Sequence, residues 1–184
     1  KVVNGLGGSA LMRDEPLAGA ILDAVVRAVD IPVTVKMRLG WDRDHLNAPA
    51  IARRAEQAGV RMVTVHGRTR DQMYEGRADW AAAAKVREAI SLPLVINGDI
   101  ETAADAREAM RLSGADAVMI GRTTCGRPWR ARALADALAG GREVEPLPPD
   151  EQARLLIEHY DLLLEFYGEN RGKRIARKHL LRAL

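Results

Sequence analysis

The sequence predicts an α/β protein built on parallel strands, and three observations carry that prediction. Short apolar runs alternate with helical stretches at a spacing of roughly 30 residues, the length of a strand–helix unit. Each run ends in a tight turn bearing glycine or a cation: Lys36-Met37-Arg38, His66-Gly67-Arg68, Asn97-Gly98-Asp99 and Gly121-Arg122. Aromatic residues make up only 4% of a chain that is 47% hydrophobic, so the core is Ala, Val, Leu and Ile, as where helices pack on a parallel sheet. Four such units run from Ile31 to Leu138, half of an eightfold (βα)8 barrel.

Each element follows from its residues. Lys1 to Ala10 carries Gly5, Gly7 and Gly8 and is expected to be a loop. Pro16 to Val29 has helical spacing in Leu17, Ile21, Val25 and Ala28. Residues 32–38 read as a strand that places Lys36 and Arg38 on one side at its carboxyl end. Trp41 to Leu46 is a polar excursion, and Ala48 to Ala58 a helix stopped by Gly59. Met62 to His66 is the next strand, residues 67–79 its terminal loop, and Trp80 to Ile90 the third helix. Leu92 to Ile96 is a buried strand closed by the Asn97-Gly98-Asp99 turn. Thr102 is the expected cap of a helix over Ile100 to Leu112, with Gly114 as its stop. Ala117 to Ile120 is the last strand, completing a βαβ crossover. Glycine in the two final turns lets backbone N–H groups approach a ligand, and Arg122 adds a fork suited to phosphate. That pair is similar to the phosphate-gripping end of a (βα)8 barrel.

Beyond the last unit, Pro146, Pro148 and Pro149 mark a linker. The expected organisation is a barrel half over 1–142, a linker over 143–149 and the start of a helical domain over 150–184. Asp150 is the expected cap of a helix to Tyr167 that buries Leu155, Leu156, Tyr160, Leu163 and Phe166. From Arg171 onward a second helix gathers Arg171, Arg174, Arg177, Lys178 and Arg182 on one arc, with Ile175, Ala176, Leu180 and Ala183 facing away.

The net charge of the 184 residues is +3, but it is unevenly spread. Residues 171–184 hold six cations and no acid, which leaves 22 basic against 25 acidic residues, or −3, in the rest. Such a basic run fits binding to a phosphate backbone, although a charge run is more often a solvated helix face. A single cysteine, Cys125, excludes an internal disulfide and a cysteine-cluster metal site; no metal site is expected. With no long uncharged apolar segment, the expected location is the cytoplasm, away from membranes.

Taken together, the motifs KMRLGW, TVHGRTR, NGDI and MIGR, followed by RIARKH after the linker, resemble the bacterial tRNA-dihydrouridine synthases. The loop wording is closest to the B-type enzymes, some of which also carry a nitrogen-regulation label. The resemblance covers essentially the whole chain. It implies an FMN-dependent barrel that reduces the C5–C6 bond of a tRNA uridine with electrons from NADPH, and a C-terminal helical domain that binds tRNA. Its catalytic cysteine, in an Asn-x-Gly-Cys-Pro motif, is expected upstream of Lys1 together with the first four strands. The chain is therefore expected to hold barrel strands 5–8, to lack a catalytic residue of its own and to be inactive alone. Cys125 is not its replacement. No protein partner is implied, although unpaired sheet edges make self-association of such a piece an expectation.

The resemblance also implies roles. Lys36 matches the lysine at the flavin ring, where a cation steadies the reduced flavin's negative charge. An ion pair at the barrel rim is the plainer role. Arg38 matches the residue that grips the uracil, against a plain phosphate or surface contact. His66 matches a flavin-contacting histidine, against a satisfied core group. Arg68 and Arg70 are loop cations near flavin phosphate or RNA. Asn97, Gly98, Asp99, Gly121 and Arg122 are assigned to the ribityl phosphate, with Asp99 serving loop geometry or a ribityl hydroxyl. Arg174, Arg177 and Lys178 are assigned to tRNA. The competing readings are a dihydroorotate-dehydrogenase-like FMN barrel acting on a free pyrimidine, which has no use for the basic tail, and a non-enzymatic regulator binding nucleic acid, for which no helix-turn-helix or zinc spacing is present.

Overall fold

The computed structural model describes residues 7–140 and 147–183, arranged as two compact units that part between Met119 and Ile120. Residues 141–146, which include part of the expected linker, and most of the expected N-terminal loop lie outside the described residues.

The first unit is a four-stranded parallel sheet in the order β1 (Thr34–Arg38), β2 (Met62–His66), β3 (Leu94–Asn97), β4 (Ala117–Met119). The α/β expectation holds: parallel neighbours in sequential order, each joined through a helical crossover. β2 and β3 are central and carry the core, with Val63, Val65, Leu94 and Ile96 fully buried. β1 and β4 are the edges. The strands are shorter than their apolar runs suggest. Pro32 and Pro93 have no N–H to donate, so the strands begin after them, although Pro93 O still accepts from Val63 N at 3.0 Å.

Helix α1 (Glu15–Ala28) is capped by Asp14, whose carboxylate accepts from Leu17 N at 3.0 Å. The chain before it is not a plain loop, since Gly8–Arg13 forms a 3-10 turn. Helix α2 (Ala48–Ala58) ends as expected at Gly59, in the left-handed region at φ 93°. The third helix is reduced to a 3-10 turn at Ala81–Ala83 and a single turn, α3 (Ala84–Arg87). Arg87 reaches forward to Ile90 O at 2.5 Å, and Ser91 N turns out to Glu56 Oε1 at 2.8 Å, which ends the helix early. Helix α4 (Ala103–Ser113) begins in a capping box. Thr102 Oγ1 accepts from Asp105 N at 3.1 Å, and the Asp105 carboxylate accepts in return from Thr102 N at 2.9 Å.

The second unit holds a 3-10 turn at Arg122–Thr124, then α5 (Arg130–Gly140), α6 (Pro149–Tyr167) and α7 (Glu169–Ala183). Helices α6 and α7 form a hairpin. A Cβ at Gly172 would stand 2.7 Å from Leu163 O, so glycine lets the two backbones touch, and Ala176 fills the next turn at 1% exposure. Two expectations fail here. Asp150 does not cap α6; the cap residue is Pro148, and Asp150 lies in the first turn, where its charge suits the helix dipole. Phe166 is 80% exposed, while Leu155, Leu156, Tyr160 and Leu163 are half-buried, because one partner helix covers only a narrow stripe of α6. The basic residues of α7 stand exposed as expected. Among the described residues no helix is long and apolar enough to cross a membrane.

Candidate active site

The carboxyl ends of the parallel strands gather the polar residues. In register, Arg38 lies beside His66 and His66 beside Asn97, one row across β1, β2 and β3. Lys36 pairs with Thr64 two residues back on the same side. Asn97 ties the row to β4, its Nδ2 donating to Met119 O at 2.7 Å.

His66 is 7% exposed, and its Nδ1 has no hydrogen-bond partner. Burial first, then the charges of Arg38, Lys36 and Arg68, push its pKa down to about 4, against a smaller opposing effect of Asp99. It is therefore a neutral imidazole at neutral pH. Lys36 is exposed as a residue, yet its ammonium lies among enough protein that desolvation, followed by Arg38, lowers its pKa. Val35 to Arg38 also line an apolar cavity of about 340 Å³ against Met12 and Ile21.

The loop after β2 closes over this row, and Arg68 is its clasp. The Arg68 side chain is not a loop cation at the surface; the residue is 1% exposed. Its Nε donates to Glu75 O at 3.0 Å, and its Nη2 to Gly76 O at 2.6 Å and Asp99 Oδ2 at 2.5 Å. Asp99 also accepts from Ala78 N at 2.8 Å. Arg68 is buried while Asp99, at φ 53°, stays half-buried, its Oδ2 shared between Arg68 Nη2 and Ala78 N. Arg68 Nη1 is left buried without a partner. Gly98 has φ +115°, and a Cβ there would meet Ala78 Cβ at 2.8 Å and His66 Nε2 at 3.1 Å. Trp80 Nε1 donates to Gly98 O at 2.8 Å, so the turn is held from outside as well.

Arg38 is aimed by the same loop. Its Nη1 donates to Thr69 O at 2.7 Å and Met73 O at 2.8 Å, and its guanidinium lies 5.7 Å from the centre of the Tyr74 ring. Arg70 turns the other way, 4.6 Å from the centre of the Trp41 indole. Gly121 and Arg122 belong to the second unit. No atom lies within 4 Å of where a Gly121 Cβ would stand, and its carbonyl accepts from Thr124 Oγ1 at 2.8 Å. In that unit Cys125 is half-buried with Sγ 3.8 Å from His179 Nδ1, and Arg174, Arg177 and Lys178 are exposed on α7. Among the described residues no group of three or more His, Cys, Asp and Glu is set to hold a metal ion.

Sequence reasoning finds the row but not its wall. Tyr74 and Ala78 act from a loop without periodicity, and Trp80 from the first position of the expected third helix. Trp41, bordered by two guanidiniums, had one signal: it is one of three tryptophans in an aromatic-poor chain, close behind Lys36 and Arg38.

A model of the dihydrouridine synthase family matches residues 1–184. A probable tRNA-dihydrouridine synthase of Rhizobium leguminosarum bv. phaseoli is 58% identical over 180 residues, covering 98% of this chain and 55% of that protein. A probable tRNA-dihydrouridine synthase of Rhodobacter capsulatus is 54% identical over 180 residues, 98% of this chain and 56% of that protein. The tRNA-dihydrouridine synthase B of Pseudomonas aeruginosa is 48% identical over 180 residues, 98% of this chain and 54% of that protein. The chain thus spans about half the length of the curated relatives it matches. By a family match over its whole length, and by relatives of this identity, the chain belongs to the dihydrouridine synthase family.

Proposed function

We propose that this chain is part of an FMN-dependent tRNA-dihydrouridine synthase of the B type, and that residues 1–142 are the second half of a (βα)8 barrel. In this reading Lys36, His66, Asn97, Gly98, Asp99, Gly121 and Arg122 serve the flavin, and Arg38 with Arg174, Arg177 and Lys178 serves the tRNA. FMN, when bound, passes electrons from NADPH to the uridine C5–C6 bond as hydride. The residues fit such a group. Two buried side chains, His66 and Arg68, each keep a polar nitrogen with no partner, which is rare in a finished core. At the end of the row, Gly98 lets Ala78 and the His66 ring close against the turn, which fixes the imidazole there. That conjunction is the observation that carries the reading.

The residues divide the work. Lys36, its charged form made costly by desolvation, gains most from a neighbouring anion and so favours the reduced state of an electron carrier. His66 stays neutral and offers one donor and one acceptor. Arg38, held by Thr69 and Met73, presents a cation where a uracil carbonyl would gain charge. Arg68 and Asp99 hold the loop rather than the substrate, and Arg68 reaches a ligand through Nη1 alone.

The test uses the full-length protein that contains this chain. It should purify yellow, release FMN on denaturation, and form dihydrouridine in unmodified tRNA with NADPH. Arg122→Ala should lower flavin occupancy. A colourless protein that takes up no FMN on reconstitution overturns the flavin assignment, and flavin turnover without dihydrouridine overturns the substrate.

A further inference from the structure

In the second unit, the stretch from Gly121 to Arg127 forms a hydrogen-bonded clip. Gly121 O accepts from Thr124 N at 3.1 Å and from Thr124 Oγ1 at 2.8 Å. Arg122 O accepts from Cys125 N at 3.1 Å, and Thr124 O from Arg127 N at 3.0 Å. Each of the three backbone bonds spans three residues and they overlap, so a rotation at Gly121 disturbs the next bond instead of being absorbed.

The two ends of the clip have different neighbours. At the far end it seats α7. Gly126 is buried at φ +79°, and a Cβ there would collide with His179 O and stand 2.9 Å from Ala183 N, so glycine lets the two backbones touch. Cys125 Sγ lies 3.8 Å from His179 Nδ1 beside that contact. Arg127 closes the helix, its Nε and Nη2 both donating to Ala183 O, at 3.3 and 3.1 Å. The last carbonyls of a helix have no partner within it, and a guanidinium there also meets the negative end of the helix dipole. At the near end Gly121 and Arg122 are exposed, and no atom lies within 4 Å of where a Gly121 Cβ would stand. Short turns and helix ends open at little cost in free energy, so what occupies the near end decides how firmly the clip is set.

We propose that Gly126 and Arg127 are positioning residues that couple the two ligands. An anion bound at Gly121–Arg122 firms the clip, and the clip seats the last turn of α7. The exposed cations Arg174, Arg177 and Lys178 are thereby held in place for the RNA. The coupling rests on the reading of Gly121–Arg122 as the FMN phosphate turn and of α7 as the tRNA face. By linkage, tRNA tightens FMN by the same factor as FMN tightens tRNA.

The experiment uses the full-length protein that contains this chain, stripped of FMN and then reloaded. Amide hydrogen exchange reads residues 179–183, and a titration with unmodified tRNA reads its Kd. FMN should slow the exchange and lower that Kd, each by roughly 5- to 150-fold, the usual span of coupling between two sites. Contact between the flavin ring and the RNA also lowers the Kd, so Arg127→Ala decides the cause. This variant should keep FMN and its reduction by NADPH, yet lose most of the FMN-dependent protection and part of the effect on tRNA. Arg127→Lys, which retains a cation and a donor for Ala183 O, should recover a share of both. Exchange at 179–183 that is equal with and without FMN overturns the proposal. So does an effect of FMN on tRNA affinity that is as large in Arg127→Ala as in the unsubstituted protein. Since the exchange comparison is made on the unsubstituted protein, a misfolded variant cannot obscure it. If FMN binds and α7 does not respond, this inference alone falls; a protein that takes up no FMN brings the flavin reading down with it.

Discussion

His66 shows how one buried side chain couples the site to stability. Its folded pKa, about 4, lies below the ordinary histidine value near 6.5, so the unfolded chain binds the proton more readily. The neutral ring's contribution is fully present above about pH 6.5 and is lost as pH falls toward 4. Between pH 7 and pH 5 this one group should remove about 2 kcal/mol of stability. Denaturant midpoints of the protein and of His66→Gln at the two pH values isolate it, since the other groups cancel in the difference. Equal losses in both proteins would mean that the ring is charged or solvated in the fold. Arg68 illustrates the opposite case, a charge that is buried because Asp99 and two carbonyls hold it.

Among the elements, α4 and its two turns decide whether β3 and β4 meet. Its first turn leaves backbone donors unpaired, and the Thr102–Asp105 box satisfies them from both directions. Thr102→Ala should cost about 1 kcal/mol, roughly 2–4 °C in Tm for a protein of this size. Thr102→Ser, which keeps the hydroxyl, should recover most of it. Thermal melts of the two variants test the cap, and an unchanged Tm in Thr102→Ala would show that Asp105 alone suffices. The α3 crossover makes a contrasting point. Its sequence allows a helix from Trp80 to Ile90, but Arg87 and Glu56 draw the chain into a turn, and tertiary bonds override local preference.

Across the whole chain, chemistry and charge are divided between the two units. The polar row belongs to the sheet, and the cations Arg171, Arg174, Arg177, Lys178 and Arg182 stand exposed on α7; among the described residues none of them pairs with a carboxylate, whereas Lys173 is tied to Glu169. The proposed tRNA role of α7 predicts that replacing Arg174, Arg177 and Lys178 with alanine weakens tRNA binding and flattens its salt dependence, by roughly one unit of slope for each phosphate that is no longer neutralised. Flavin reduction by NADPH should not change. Affinity that is unaltered across a salt series would make the arc a solvated face and nothing more.

The parallel α/β order, the strand-end placement of Lys36, Arg38, His66 and Asn97, the Thr102 cap and the basic arc of α7 were legible in the residues alone. All of them depend on local periodicity or on spacing within one element, which a linear chain records directly. The burial of Arg68 was not legible, nor were the use of Asp99, the exposure of Phe166 and the seat of α7 at Gly126 and Arg127. Each of these depends on what a distant segment places alongside: Asp99 lies 31 residues from Arg68, and Arg127 lies 56 from Ala183. Whether an arginine meets solvent or a carboxylate is settled by packing between segments, and that information enters only when the sheet has brought its edges together.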